Sequence, residues 1–402
     1  MTAIPKQYFK PLTGVRAIAA FMVFLCHFSP YPLFTSDPYW RDFFGYFHVG
    51  VTFFFTLSGF LIASRYIDTS ELTWKYFKQY LLNRFARIYP IYFLLTFIPF
   101  IYLLRFPLDG AAPEVPIWMK YLANITLLKG FSATLWGSGL GQAWSLTVEE
   151  CFYLSAPILF FFLTKFRSHQ YLVFLASGGV VLSLGLLLTQ LFHGKPLGLF
   201  ADYTFLFSWT FFGRFTEFFI GVALAIYLKR HPVPHFKNDG RLTYVSVLFI
   251  FLIIALLAAL KHYVSLDRET ITAVLINNVV LPVFIACFYY GLIAEKTRMA
   301  ALLATSTADL LGKSSYAFYL IHAGVLSSEI SIRLHMAPLA HYFVHLGLLI
   351  TISIALYRYV EEPLNQFIRH RFLPATVKHS HGHPIAALST PHPTSASATP
   401  TR

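Results

Sequence analysis

The sequence is poor in charged residues. Lys, Arg, Asp and Glu together make up 12% of its 402 residues, whereas a typical soluble domain carries roughly 25%. Hydrophobic residues make up 56%, aromatic residues 18%, and the mean hydropathy is +0.60. Such a composition excludes a disordered chain and a soluble multidomain enzyme, and it indicates a protein that crosses a membrane several times.

Cysteine is scarce as well. Cys26, Cys151 and Cys287 are the three in the chain, far apart and each inside an apolar run. This spacing predicts neither a disulfide framework nor a cysteine-bound zinc, and no metal site is expected elsewhere.

The sequence contains long continuous runs of apolar residues. A spanning helix needs about 20 mostly apolar residues, and runs such as LFIFLIIALLAAL are continuous rather than alternating, which excludes lipid-facing β-strands. We therefore predict an all-α, polytopic membrane protein with about ten transmembrane helices. The predicted spans are 12–29, 47–67, 88–105, 148–165, 171–192, 205–228, 243–260, 271–293, 314–333 and 341–360.

The placement of Lys and Arg predicts the orientation. If the N-terminus is cytoplasmic, the inner segments hold most of the basic residues, as the positive-inside rule requires. Both termini are then cytoplasmic. Arg16 interrupts the first apolar run and no small-residue cleavage site follows it, so the first helix is expected to be retained. The net charge of +13 is assigned to an anionic lipid leaflet, not to nucleic acid.

The chain divides into two predicted regions. Residues 1–374 form the integral membrane domain. Residues 375–402 are rich in Pro, Ser, Thr and His, which is typical of a disordered cytoplasmic tail. The HSHGH stretch in the tail could bind a metal ion, but an unstructured polar segment is the preferred interpretation.

Several ionisable residues lie inside the predicted spans, where they are costly and mark a functional site by default. The alternative is that they form interhelical ion pairs that hold the bundle together. They are Arg16, His27, Glu149, Glu150, Arg214, Glu217 and His322.

Arg16 and His27 lie on one face of the first helix. They are eleven residues apart, which is close to three full turns. The rise between them is about 16 Å, so they cannot touch. The spacing predicts two positions along one path, with His27 near the outer end.

Glu149 and Glu150 begin the fourth predicted span, at the predicted depth of His27. A carboxylate beside an imidazole fixes its tautomer and stabilises the imidazolium formed in proton abstraction. The alternative is an interaction with the helix N-terminus, capped by Ser145 or Thr147.

Arg84 and Arg87 are three residues apart and therefore neighbours on a helix. Two guanidinium groups on one face suit a multiply charged phosphate ligand. On physical grounds alone, binding to lipid head groups is favoured over this interpretation.

Seven segments, in order along the chain, resemble the sequence blocks of the membrane acyltransferase-3 family. Thr52 departs from the pattern, because an acidic residue is usual at that position. The blocks are LTGVRAIAAFMVFLCHF, GVTFFFTLSGFLI (50–62), NRFARIYP (83–90), AWSLTVEECFYL (143–154), GRFTEFFIGVALA (213–225), LGKSSYAFYLIH (311–322) and YVEEPL (359–364).

The resemblance implies a multi-pass enzyme of the bacterial inner membrane. Such an enzyme transfers an acyl group, usually acetyl, from cytoplasmic acyl-CoA to a sugar hydroxyl of a lipopolysaccharide, peptidoglycan, capsule or secreted glycan. Acyl-CoA is then a co-substrate, and no bound cofactor is expected. By the same resemblance His27 is the catalytic histidine, Arg16 its motif partner, and Arg84 and Arg87 contact the CoA phosphates.

Other residues are weaker candidates for the acceptor side. Arg214 or Ser145 could stabilise the tetrahedral oxyanion. Tyr319 and His322 share a helical patch and could line the acceptor path, or simply pack against another helix. Trp144 is an interfacial aromatic residue by default, with stacking on a sugar as the alternative.

Two other functions remain open at this point. A transporter also carries buried charges along a channel, although the two halves of the sequence show no matching Gly- or Pro-interrupted spans. A non-catalytic scaffold would use the same charges only for packing.

Overall fold

A computed structural model describes residues 9–69, 73–105, 115–231, 239–267 and 270–373. In these ranges every regular element is helical. The first helices are α1 (Lys10–His27), α2 (Pro38–Gly45), α3 (Gly50–Tyr66), α4 (Trp74–Arg105), α5 (Ile117–Ile125) and α6 (Trp144–Lys165). The middle of the chain forms α7 (Gln170–Phe192), α8 (Tyr203–Trp209), α9 (Phe211–Arg230), α10 (Arg241–Val264), α11 (Ile271–Leu275) and α12 (Leu281–Ala294). The last are α13 (Arg298–Leu303), α14 (Ser306–Ile321), α15 (Val325–Arg333), α16 (Pro338–Leu356) and α17 (Glu362–Phe372).

The all-α, polytopic prediction is confirmed. Within the described ranges, nine helical segments are long and apolar enough to cross a membrane. Two of these segments each contain a π-helical turn, which joins α11 to α12 in one segment and α16 to α17 in the other. The sidedness of the termini remains a prediction, and the predicted tail, 375–402, lies outside the described residues.

The ninth predicted span, 314–333, is not one continuous helix. Helix α14 ends at Ile321 and α15 begins at Val325. Between them Gly324 has φ 88° and ψ −164°, a conformation that is essentially restricted to glycine. Sequence reasoning missed this break, because an isolated glycine in an apolar run does not by itself interrupt a predicted helix.

The break at Gly324 yields a prediction. A Cβ at this position meets no atom within 4 Å, so Gly324→Ala should destabilise the protein by about 1–3 kcal/mol through backbone strain alone. The matched control is Gly347→Ala inside α16, where a Cβ also meets open space and alanine should stabilise by roughly 0.5–1 kcal/mol. Thermal unfolding in one detergent measures both variants, and equal effects would contradict the strain at Gly324.

Helices α3 and α9 approach each other with almost no side chain between them. A Cβ on Gly59 would lie 2.1 Å from the carbonyl oxygen of Phe218, and one on Gly221 would lie 2.1 Å from that of Thr56. Only glycine permits this backbone contact. The close packing brings polar side chains of the two helices together at the centre of the bundle.

A buried lysine fixes the loop that leads into α6. Lys129 is fully buried, and its Nζ donates to the carbonyl oxygens of Ser138, at 2.7 Å, and Leu140. Burial lowers the pKa of this amine to about 7. The loop therefore ends in a defined position, from which Gln142 and Trp144 enter the core.

Candidate active site

Two histidines meet at one end of the bundle. His27 is the last residue of α1, and its side chain is exposed. His322 follows α14 directly and is fully buried. Their ring centroids are 5.3 Å apart. The helix break at Gly324 thus leaves His322 beside the predicted catalytic histidine.

One ring nitrogen of His322 lacks a partner. Its Nδ1 lies 2.8 Å from the carbonyl oxygen of Tyr319. Because a carbonyl only accepts, this nitrogen carries the hydrogen, and Nε2 of the neutral ring is an acceptor. Nε2 is buried and has no hydrogen-bond partner among the described residues. A buried acceptor left unpaired is costly, so it suits a hydrogen-bond donor brought by a ligand.

Ser145 and Tyr319 bond to each other at the start of α6. Their hydroxyl oxygens are 2.8 Å apart, and the Tyr319 hydroxyl also donates to the carbonyl oxygen of Gln142 at 2.9 Å. The Gln142 amide in turn donates to the carbonyl oxygen of Leu320 at 2.6 Å. Both hydroxyls are thus satisfied within the protein. Their observed contacts tie α6 to α14 beneath His322.

Arg214 forms a fully buried ion pair with Glu217. Their exposed fractions are 3% and 0%, and the shortest N–O distance is 2.6 Å. Thr52 joins the pair: its hydroxyl accepts from Arg214 Nη2 at 3.1 Å and donates to Glu217 Oε1 at 3.0 Å. The hydroxyl of Thr52 therefore contributes to a triad that sequence reasoning missed. Only the α3–α9 packing brings these residues together.

Trp144 lies against this triad. The guanidinium carbon of Arg214 is 5.5 Å from the centroid of the Trp144 ring. The Trp209 ring packs edge-on against the Trp144 ring, with 4.8 Å between the ring centroids. The indole is 8% exposed. In this position Trp144 packs in the core, and it offers little surface for stacking on a sugar.

Arg16 lies one and a half turns into α1, among charged groups from three other helical segments. It is half-buried and interacts electrostatically with Arg87, Glu149 and Glu361. Glu361 is buried and interacts with both Arg87 and Arg16. The two ends of α1 thus face different groups of side chains.

The structure places Glu149 deeper than the sequence suggested. Helix α6 begins at Trp144, so Glu149 lies about 7 Å along it. Its Oε1 accepts from the Ser58 hydroxyl at 2.8 Å, and the carboxylate interacts with both Arg16 and Tyr319. The expectation that Glu149 lies at the depth of His27 is corrected: it lies between the two ends of α1.

Glu150 also belongs to the Arg16 end. It interacts electrostatically with Arg84, and its buried Oε1 has no hydrogen-bond partner among the described residues. The two predicted carboxylates therefore have different partners: Glu149 interacts with Ser58 and Arg16, and Glu150 interacts with Arg84. The reason is that neighbouring residues of a helix point about 100° apart.

Arg84 and Arg87 lie together near Arg16. The Arg84 guanidinium carbon is 5.6 Å from the ring centroid of Tyr66 and 5.8 Å from that of Tyr153, and its buried Nε is unpaired in the described part of the chain. Arg87 is exposed. Among the described residues, no carboxylate lies within salt-bridge distance of either guanidinium. Such a pair is open to an anionic ligand.

Comparison with known proteins identifies the family. The acyltransferase-3 family model, an acyltransferase domain, matches residues 10–358. The chain belongs to this family. The matched region includes every site residue predicted from the sequence and six of the seven sequence blocks, and the resemblance to the family is confirmed.

Individual relatives carry acyltransferase names. "Putative O-acetyltransferase SACOL0978" of Staphylococcus aureus is 24% identical over 388 residues, covering 90% of this chain and 58% of the relative. Acyltransferase MdmB of Streptomyces mycarofaciens is 31% identical over 162 residues, covering 37% of this chain and 38% of MdmB. Peptidoglycan O-acetyltransferase OatA of Listeria monocytogenes is 28% identical over 197 residues, covering 46% of this chain and 29% of OatA.

The alignments extend over only part of these relatives. The chain spans 29% to 58% of their length. No solved structure matches the chain significantly.

Proposed function

We propose that this acyltransferase-3 protein is an O-acyltransferase of the bacterial inner membrane. It moves an acyl group, most simply acetyl, from cytoplasmic acyl-CoA to a hydroxyl of a glycan or lipid-linked sugar on the other side. The family match over residues 10–358 carries the proposal. The relatives named as O-acetyltransferases, one of them for peptidoglycan, support acetyl as the group and a glycan as the acceptor.

The two ends of α1 suit two different functions, binding of CoA at one end and reaction with the acceptor at the other. At one end, Arg84, Arg87 and Arg16 form a basic region that suits the phosphates of CoA. At the other end, His27 is exposed and lies beside the unpartnered Nε2 of His322. The two ends are separated by about 16 Å, which is on the order of the length of the pantetheine arm. The thioester can therefore reach His27 while the nucleotide stays at the arginines.

The chemical step uses His27 as a general base. Its imidazole takes the proton from the acceptor hydroxyl as the oxygen attacks the thioester carbonyl. The new C–O bond forms, the C–S bond breaks, and the proton passes to the departing thiolate of CoA. His322 accepts a hydrogen bond from the acceptor through Nε2 and so orients it.

Some predicted roles change once the contacts are considered. The Arg214 guanidinium is engaged by Glu217 and Thr52, and the Ser145 hydroxyl by Tyr319. We assign both residues to positioning: they hold α9 and α6 against the α3 and α14 segments that border the site. Glu149, between Arg16 and Tyr319, is placed to balance the charge of Arg16.

Labelled acetyl-CoA supplied to the cytoplasmic face of inside-out vesicles tests the function. We expect label to become covalently attached to glycan, and the double variant Arg84→Gln/Arg87→Gln should raise the KM for acetyl-CoA by roughly 10- to 100-fold, because charge-assisted hydrogen bonds are lost. Lys78→Gln, an exposed charge on the same helix, is the matched control. Label recovered as free solute would favour a transporter, and an unchanged KM would assign the arginines to lipid.

A further inference from the structure

Four arginines from three helices gather around Tyr66. Arg65 lies in the last turn of α3, and its guanidinium carbon is 5.3 Å from the centroid of the Tyr66 ring. The guanidinium carbon of Arg84, on α4, is 5.6 Å from the same centroid. Arg87 follows Arg84 by one turn. Sequence reasoning grouped only the last two, because nothing in the sequence brings Arg65 to them.

The fourth arginine comes from the last helix. Asn365 on α17 donates its side-chain amide to the carbonyl oxygen of Ala86 at 2.9 Å, which fixes α17 across α4 between Arg84 and Arg87. Arg369 lies four residues beyond Asn365, on the same face of α17. It interacts electrostatically with Tyr66, Arg84 and Arg87, and Arg65 interacts with Arg84, Arg87 and Arg369.

This cluster carries an excess of positive charge. Among the described residues, none of the four guanidinium groups has a carboxylate within salt-bridge distance. Two carboxylates of the described residues interact with this region: Glu150 interacts with Arg84, and Glu361 interacts with Arg87 and Arg16. Guanidinium groups held together repel one another, so the arrangement gains from an anion that bears several charges.

The positions within the cluster differ in depth. Arg87 interacts with Arg16, on the side that leads along α1 toward His27. Arg65 and Arg369 lie within the last turn of their helices and interact with Arg84 and Arg87, and we take them as the side of the cluster farther from Arg16. A ligand whose reactive end points to His27 therefore places its inner phosphates at Arg84 and Arg87 and its far end at Arg65 and Arg369.

We propose that Arg65 and Arg369 bind the 3′-phosphate of the CoA nucleotide. The inference rests on the proposed use of acyl-CoA. That phosphate is a monoester with a charge of about −1.5 to −2 at pH 7 and three acceptor oxygens, and it lies at the end of CoA far from the thioester. The diphosphate then occupies Arg84 and Arg87. A lipid head group offers the same phosphate chemistry, so the test must separate the two sources.

Calorimetric titration of the detergent-solubilised full chain with CoA and with 3′-dephospho-CoA provides the test. We expect the native protein to bind CoA roughly 10- to 100-fold more tightly than dephospho-CoA. Arg65→Gln and Arg369→Gln should weaken binding of CoA and leave that of dephospho-CoA nearly unchanged, so the preference disappears. Arg371→Gln, an exposed arginine two residues further along α17, should retain it.

The other outcomes separate the possible failures. Binding of neither nucleotide would contradict the proposed donor itself. Equal binding of both by the native protein, or a preference that survives in Arg65→Gln/Arg369→Gln, would overturn only the 3′-phosphate site. Loss of the preference when anionic phosphatidylglycerol is added, with no effect of phosphatidylcholine, would assign the two arginines to lipid. Thermal stability without ligand checks folding, and it should not fall in the variants because each removes like-charge repulsion.

Discussion

Replacing His27 with Gln is expected to lower the rate of acetyl transfer by about 10²- to 10⁴-fold, the usual contribution of a general base. Gln keeps much of the size and polarity of the ring but cannot take up the proton. Because His27 is exposed at the end of α1, the substitution opens no cavity and should leave stability nearly unchanged. The KM for acetyl-CoA should also change little, since Arg16, at the end of α1 that faces Arg87, lies about 16 Å away.

The measurement is label transfer to glycan at matched protein levels, with acetyl-CoA varied to separate kcat from KM. His193→Gln is the control, an exposed histidine whose Nδ1 lies 3.1 Å from the carbonyl oxygen of Ala201; it should retain full activity. Normal kcat in His27→Gln would reject His27 as the base. A scaffold with no catalytic role predicts that both variants behave alike.

Breaking the ion pair at the centre of the bundle should have the largest effect on stability. Arg214→Met leaves the Glu217 carboxylate buried without its counter-charge, which typically costs 3–5 kcal/mol. The double variant Arg214→Met/Glu217→Met removes both charges. It should recover much of that loss, because well-packed apolar side chains often replace a buried ion pair at little cost.

Thermal unfolding of the purified protein measures these changes. The control is Arg333→Ala, which removes an arginine that is 71% exposed from its pair with Glu329; surface pairs contribute about 0–1 kcal/mol. An effect of Arg214→Met no larger than that of Arg333→Ala would show that the central triad is not held as described. Activity should fall with stability in this series, since Arg214 acts through the packing of α3 and α9.

The class of the fold and the family both follow from the amino-acid sequence alone. Low charge and continuous apolar runs predict spanning helices, because a bilayer core admits only segments that satisfy their own backbone hydrogen bonds. The period of the α-helix was enough to place Arg16 and His27 on one face at separate depths, since both lie in the same element. The ordered sequence blocks added the acyltransferase-3 resemblance.

Which helices are in contact, and where each one begins, became known only from the three-dimensional structure. The depth of Glu149 follows from the start of α6 at Trp144, and the break at Gly324 decides that His322 faces His27. The Thr52–Arg214–Glu217 triad and the approach of Arg65 and Arg369 to Arg84 join residues far apart in the chain. Periodicity within one helix carries no information about its lateral neighbours, and these contacts depend on side-chain packing between elements that the sequence lists only in order.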